Sequence, residues 1–509
     1  MKYFTMDSYL DHYELETSYF LWLIILVLLF LRMLFFYYST KTGVDHYYWL
    51  TCVKNFKKQK SIPFKIKNKY LLEHDKQYYP PGFAVFLSFF SVKFLEKNGS
   101  YVIPFLIDIL CLFLTLVFCK SFLSYSDLLV VVCLYLSAPI LLVYNTQLTS
   151  RGLGNLFFIC SMLGFITFIN HNEFFIPLVI CSSLFFALMY LTHKMTTQYC
   201  LFLFLLIIFS GLNFESKLYI FLTILIGGLF SAFIVGFNFS KMQLKTHLEI
   251  ISFWNRNWKN LGAHQFKDSK YYLVNDGTVS SKFHKSNLIG YINYLKMIFS
   301  YLPSLILVPY AILFFNIPEW LKIWLFSSII ISFGTLFVSY FRCLGGGHLY
   351  LFNTVVPISI CWAFGTNNIE EKVIFLFVTL MSFFISLIAL YKRIKQKQDD
   401  VENMNLIKYL NSHKKMNIGV FPTTFAERTA YETDHNVLWG AHGYSFLDVE
   451  PTWPVSKMTL TSMFKKYDLK MIVVNLIWWK EIVDLKEFSL KFNTTYKTDN
   501  WIIFNLKND

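Results

Sequence analysis

Leu218–Phe237 reads LYIFLTILIGGLFSAFIVGF, twenty residues without a charge, and that run decides the fold. A helix rises about 1.5 Å per residue, so about 20 apolar residues cross the roughly 30 Å of hydrocarbon in a bilayer. A helix on a soluble core would interrupt such a run with polar residues at helical spacing, and a half-buried strand would alternate. Tyr19–Tyr38 and Val373–Tyr391 are blocks of the same kind. The chain is therefore predicted to be an α-helical polytopic membrane protein.

Further blocks lie to either side. A short apolar segment covers 82–95, and others fall near 101–119, 128–144, 153–169, 174–191 and 199–212. Four more fall near 297–315, 319–338, 347–365 and 372–391, which makes twelve spans in all and sets the expected range at eleven to thirteen. Two long polar stretches separate them, a first loop at 39–81 and a second at 238–296. The membrane part is thus read as 1–391. Residues 392–509 are soluble in character and read as a small α/β domain. Asn417–Phe421, Met471–Asn475 and Trp501–Leu506 are short apolar runs expected as strands of a partly parallel sheet, and Val401–His413 has helical spacing.

Composition agrees. Of 509 residues, 55% are apolar and 15% charged, against about a quarter charged in a soluble protein, and the mean hydropathy is +0.46. The leader of the first block (Asp7, Asp11, Glu14, Glu16) is acidic where a signal peptide is basic, so the block is expected to stay as an anchor. Charge is costly in lipid, which sends the net +14 to loops and tails. Anionic lipid headgroups of the bilayer or phosphate-bearing substrates are the natural partners, and no nucleic-acid motif is present. The nine cysteines show neither a disulfide framework nor a CxxC pattern, and eight of them lie in apolar stretches as small hydrophobes.

The first loop carries the chemistry. It opens with Gly43-Val44-Asp45-His46-Tyr47-Tyr48 at the exit of the first span. It closes with Glu73-His74-Asp75-Lys76-Gln77-Tyr78-Tyr79-Pro80-Pro81-Gly82 where the chain returns to the membrane. The prolines impose an extended approach and the glycine lets the chain turn into the next helix. Asp45 and Asp75 could face one cavity at the membrane surface; the plain alternative for each is a solvated charge. Arg151, Lys194 and Arg342 interrupt or end apolar stretches. Such cations either snorkel to headgroups or hold a buried anion, and Gly345–Gly347 beside Arg342 let a backbone approach a ligand closely.

These pieces together resemble polytopic membrane glycosyltransferases of the GT-C fold, the superfamily of dolichyl- and polyprenyl-phosphate-sugar-dependent protein mannosyltransferases and oligosaccharyltransferases. The resemblance rests on Asp45-His46-Tyr47-Tyr48, Ser61-Ile62-Pro63 and Tyr78-Tyr79-Pro80-Pro81-Gly82 in the first loop. It continues through Ala138-Pro139 with Thr149-Ser150-Arg151-Gly152-Leu153-Gly154, Leu191-Thr192-His193-Lys194 with Thr197-Gln198, and Arg342 with Gly345-Gly346-Gly347-His348 and Pro357. It departs after the glycines, where His348-Leu349-Tyr350 replaces the second Arg or Tyr of the pattern.

The resemblance implies transfer of a hexose or pentose, with inversion, from a polyprenyl-phosphate-linked donor to a glycan, lipid or protein acceptor. It implies Asp45 and Asp75 as catalytic residues, and His46, His74, Tyr79, Arg151, His193, Lys194, Arg342 and His348 as substrate-binding ones. The residue types suit the reaction: an acceptor hydroxyl attacks well only if a carboxylate takes its proton, and a departing phosphate needs positive charge. No metal ligand set is assigned, although metal-dependent members of the family admit Mg²⁺ or Mn²⁺ on Asp45, His74 and Asp75. Trp254, Trp258 and His264 are read first as interfacial anchors and second as an acceptor groove.

Two signals conflict over sidedness. The positive-inside rule places the lysine-rich first loop and the Lys392–Lys397 cluster in the cytoplasm, whereas the resemblance implies a cavity on the non-cytoplasmic face of a prokaryotic plasma membrane. The rule counts mainly short loops, so the resemblance is followed. A transporter or flippase for a lipid-linked or anionic substrate would share the spans and the intramembrane cations, but transporters often show two matching halves and no repeat is visible. A non-catalytic subunit of an envelope-polymer assembly would share the binding surface.

Overall fold

The structure is a computed structural model, and it describes residues 6–38, 44–66, 69–72, 78–145, 147–171, 174–258, 288–365, 369–398, 400–440, 446–476 and 492–506. Nearly all of the part before residue 400 is helical. Five helices are long and apolar enough to cross a bilayer by length and composition: Val92–Cys119, Ser150–His171, Phe214–Val235, Glu319–Phe337 and Glu370–Asn411. Shorter apolar helices accompany them at Tyr19–Phe35, Tyr125–Ser137, Phe175–Tyr190 and Lys194–Phe209. Large apolar side chains such as Phe30, Phe113, Phe233 and Phe377 stay exposed on these helices, as residues facing lipid must.

The segment at 82–95 is not a span. Its helix covers only Gly82–Ser88, about 10 Å at 1.5 Å per residue, and the chain bends at Ser91 before the next helical run begins. The first loop meets the C-terminal part directly. Backbone atoms of 69–72 pair with Val437 and Leu438 (Leu71 N–H to Val437 O, 2.9 Å; Leu72 N–H to Leu438 O, 3.1 Å).

Both polar stretches hold helices. Val44–Gln59 is one, buried on every side from His46 to Val53. Phe237–Asn257 is another, burying Phe239, Gln243, Thr246, Ile250 and Phe253. These positions recur every three or four residues, the mark of an amphipathic helix.

The soluble end forms a five-stranded sheet from β1 (Asn417–Phe421), β2 (Asn436–Val437), β3 (Leu469–Asn475), β4 (Phe492–Lys497) and β5 (Trp501–Leu506), in the order β2-β1-β3-β5-β4. β1 runs parallel to β2 and β3, and β5 antiparallel to β3 and β4. The partly parallel expectation therefore holds; β2 and β4, too short or too polar to stand out, were not expected.

One buried ion pair has no precursor in the sequence reading. Arg32 of the first helix meets Asp108 of Ser100–Cys119, both sequestered from solvent. Arg32 also donates to Tyr135 O (3.0 Å) and Leu136 O (3.2 Å), and the Tyr135 hydroxyl donates to Asp108 Oδ1 (2.8 Å). Pro139 follows four residues after Tyr135 and has no N–H to offer that carbonyl, so the guanidinium takes the place of a missing helix hydrogen bond. The nine cysteines are all free, and most are buried, though Cys181 faces outward.

Candidate active site

Asp45 sits in the first turn of Val44–Gln59, where the helix N-terminus favours a carboxylate. Three residues on, Tyr48 and Trp49 hold Tyr79 between them (ring centroids 5.9 and 5.7 Å). Burial, reinforced by the Asp45 carboxylate, pushes the Tyr79 phenol up, so it remains a neutral hydroxyl. The chain then enters Gly82–Ser88, and the Gly82 N–H donates to Leu191 O at 2.7 Å. A side chain at Gly82 would stand 2.7 Å from both Leu191 O and Thr192 Oγ1. The glycine thus serves close approach to the Leu191–Lys194 turn, and not the change of direction expected from the sequence.

That turn is where the separate motifs meet. His193 caps Lys194–Phe209: its Nδ1 accepts from the Thr196 N–H at 3.2 Å. Burial, with Arg151 and Lys194 nearby, holds the imidazole well below its ordinary value. The neutral ring must therefore carry its proton on Nε2. Gly154 packs directly on the His193 side chain. Asn353 donates to Asn155 Oδ1 (2.8 Å) and Thr196 Oγ1 (3.3 Å), which locks the late segment onto the same turn. Arg151 lies over the Tyr144 ring at 4.6 Å and donates from Nη1 to Leu349 O at 3.0 Å. Its Nε has no hydrogen-bond partner among the described residues.

Asp45 interacts electrostatically with Tyr79, Tyr144, His193 and Lys194, and Arg151 with Tyr79, Tyr144, His193 and Tyr350. These residues form one cluster. Lys194 also lines a cavity of about 220 Å³ together with Gln198, His247, Trp254, Trp258 and Arg342. Arg342 stacks over Trp258 at 4.3 Å and donates from Nε to Leu336 O at 2.9 Å, in a wall otherwise rich in apolar groups such as Ile250, Ile251 and Leu336. Gly345, at φ +127°, turns the backbone beside it in a conformation open mainly to glycine.

Of the residues singled out by sequence, Asp45, Tyr79, Arg151, His193 and Lys194 are thus brought together, and Arg342 joins them through the shared cavity. His348 stacks on Tyr301 (5.4 Å), which stacks on Tyr144 (6.0 Å), the ring that lies under Arg151. His46 is fully buried, with its ring against Tyr47. His74, Asp75 and His264 lie outside the described residues. Trp258 covers Arg342, and Trp254 packs on Trp453 at 5.4 Å. Sequence reasoning missed His247, whose Nε2 pairs with the Gln198 amide at 3.2 Å, and Tyr350, which donates to Gln198 Oε1 at 2.9 Å.

The sequence matches no protein-family model and no curated protein. Its architecture is similar to solved structures. ArnT from Cupriavidus metallidurans bound to undecaprenyl phosphate superposes with a TM-score of 0.58 at 11% identity, over 96% of this chain and 98% of that one. The oligosaccharyltransferase AglB from Archaeoglobus fulgidus, in complex with an inhibitory peptide and a dolichol-phosphate, gives 0.51 at 9% identity over 96% and 74%. The chain has the GT-C fold. A further structure of the Archaeoglobus fulgidus oligosaccharyltransferase, in complex with Zn and sulfate, gives 0.53 at 10% identity over 96% and 73%.

The described residues of this GT-C chain do not by themselves suit a divalent cation. Hard cations want several oxygen ligands, whereas the groups around Asp45 are Arg151, Lys194 and a neutral His193. Among the described residues no three His, Cys, Asp or Glu side chains gather.

Proposed function

We propose that this protein is an inverting membrane glycosyltransferase. It moves a hexose or pentose from a polyprenyl-phosphate carrier to a hydroxyl of a glycan, lipid or protein acceptor, on the non-cytoplasmic face of a prokaryotic plasma membrane. One observation carries the reading: Lys194 belongs both to the cluster around Asp45 and to the cavity that holds Arg342. A base and a phosphate site are thereby adjacent. The fold likeness to structures that hold undecaprenyl phosphate and dolichol-phosphate supports a lipid phosphate as the ligand of that cavity.

In this reading the donor phosphate rests between Lys194 and Arg342, with Arg151 offering its unpartnered Nε, and the polyprenyl chain follows the apolar wall. The anomeric carbon then faces Asp45. The acceptor oxygen forms a bond to that carbon as the bond to phosphate oxygen breaks, through an oxocarbenium-like transition state. The acceptor proton passes to the Asp45 carboxylate, and the negative charge gathering on the leaving phosphate is met by fixed cations. The neutral Tyr79 hydroxyl and His193 Nε2–H are donors for sugar hydroxyls.

The test is Asp45→Asn. We expect an inserted, folded protein whose transfer rate falls by roughly 10²-fold or more, measured as radiolabelled sugar leaving a polyprenyl-phosphate carrier in reconstituted vesicles. A near-normal rate would end the role of Asp45 as base.

A further inference from the structure

We propose that the C-terminal domain is the device that positions Asp45, with Arg428 as its principal positioning residue. The catalytic consequence rests on the role proposed for Asp45; the anchoring itself does not.

The helix carrying Asp45 has sixteen residues, a length at which isolated helices are marginal in water. Its placement must come from what it packs against. It packs on Gly82–Ser88, where Trp49 meets Phe83 at 5.0 Å, and on one face of the helix Thr423–Glu432, which presents Glu427, Arg428, Tyr431 and Glu432 at helical spacing. The Arg428 guanidinium lies 5.6 Å over the ring of Tyr47, two residues after Asp45. It is itself fixed by ion pairs to Asp400 and to Glu432 (2.7 Å), and is only 9% exposed.

Three further ties hold the same loop. The Tyr431 ring meets Tyr47 at 6.0 Å, and its hydroxyl donates to Glu96. Glu96 pairs with Lys54 at 3.3 Å, and the Lys54 ammonium sits 3.8 Å over the Tyr431 ring. Beyond the helix, the Tyr70 hydroxyl donates to Glu427, and the Lys69 ammonium donates to Thr433 O at 2.8 Å. The backbone of 69–72 then extends the sheet alongside β2.

Taking a guanidinium largely out of water is costly, and its two carboxylate partners stay partly exposed, so this cluster is a poor way to gain stability alone. What it supplies is orientation, through a flat cation pinned from two sides and laid on an aromatic ring. A base must sit within hydrogen-bond reach of its proton, and a displacement of about 1 Å can cost about 10²-fold in rate. A contact two residues from Asp45 controls displacements of that size.

The experiment is hydrogen–deuterium exchange on the full-length protein in lipid nanodiscs, comparing wild type with Arg428→Ala, Arg428→Lys and Tyr431→Phe. In Arg428→Ala the amides of 46–55 should exchange about 10-fold faster or more, while β1 and β3 keep their protection. Arg428→Lys keeps the charge without the fork and should fall between the two. Tyr431→Phe removes only the bond to Glu96, so it guards against a misfolded Arg428→Ala, and it should raise exchange at 51–56 alone. Transfer by Arg428→Ala should show kcat lowered about 10-fold or more, with KM for polyprenyl-phosphate hexose within about twofold. Wild-type exchange across 44–59 in all three variants, or equal loss of protection in β1 and β3, would overturn the proposal. A loosened helix with undiminished transfer would count against Asp45 as base; slowed transfer with an unloosened helix would count against the anchoring alone.

Discussion

Asp108→Asn should destabilise the membrane part severely, and the arrangement around Arg32 allows the size to be worked out. The substitution keeps shape and removes charge, leaving a fully buried guanidinium without its counter-ion. Breaking one side of a buried pair costs about 3–5 kcal/mol. Arg32→Leu removes the other side and also strips the donors from Tyr135 O and Leu136 O, which adds about 1 kcal/mol for each hydrogen bond lost. The double variant Arg32→Leu/Asp108→Leu loses those two carbonyl bonds and the Tyr135 hydroxyl's bond to Asp108, about 3 kcal/mol in all, because no uncompensated charge remains. Non-additivity is thus the signature. At about 2 °C per kcal/mol for a large chain, thermal unfolding in detergent should fall by about 6 °C or more for each single variant. The double variant should fall by much less than the two singles together. A double variant whose loss equals the sum of the singles would refute the reasoning, since independent sites add to within about 0.5 kcal/mol.

Two further outcomes follow from the site. Gly82→Ala places a methyl group 2.7 Å from Leu191 O and Thr192 Oγ1; it should cost about 1–3 kcal/mol in unfolding measurements and lower transfer by shifting Tyr79, whereas wild-type values for both would contradict the close approach. His247, outside the spans, is pushed down to about 4, by burial first and by the Lys194 ammonium second. Its unfolded form titrates near 6.5, so below that value the unfolded state binds more protons and stability falls with pH, levelling off near pH 4. The loss should reach about 3 kcal/mol at about 1.4 kcal/mol per unit, and His247→Asn should show a correspondingly smaller drop between pH 7 and 4; identical pH profiles would contradict the buried neutral imidazole.

How far the sequence could be read follows from the range of each force. Hydrocarbon imposes its constraint on every residue of a span, so blocks such as Leu218–Phe237 are plain in one dimension. The segment at 82–95 misled because its apolar residues are divided between a short helix and the start of the next, a break that composition does not register. Asp45, Lys194 and Arg342 stood out because charge at a membrane edge is unusual. What they lie against did not, since Gly82 and Leu191, or Arg151 and Leu349, are far apart in the chain. His247 was hidden in a stretch taken for loop, although the three-and-four spacing from Phe239 to Phe253 marks a helix there. The pairing of Tyr70 with Glu427 spans 357 positions, and nothing local to either residue announces it.

The identity of the donor separates a glycosyltransferase from a transporter, and it can be measured directly. Purified protein in sealed vesicles should be offered radiolabelled polyprenyl-phosphate hexoses and pentoses, or the corresponding nucleotide sugars, with a membrane extract as acceptor. Label should pass from a lipid-linked sugar to acceptor, with one free polyprenyl phosphate released per sugar moved, and no transfer should occur from any nucleotide sugar. Transfer from a nucleotide sugar would contradict the proposed function, and so would movement of the intact lipid-linked sugar across the bilayer without cleavage of its sugar–phosphate bond.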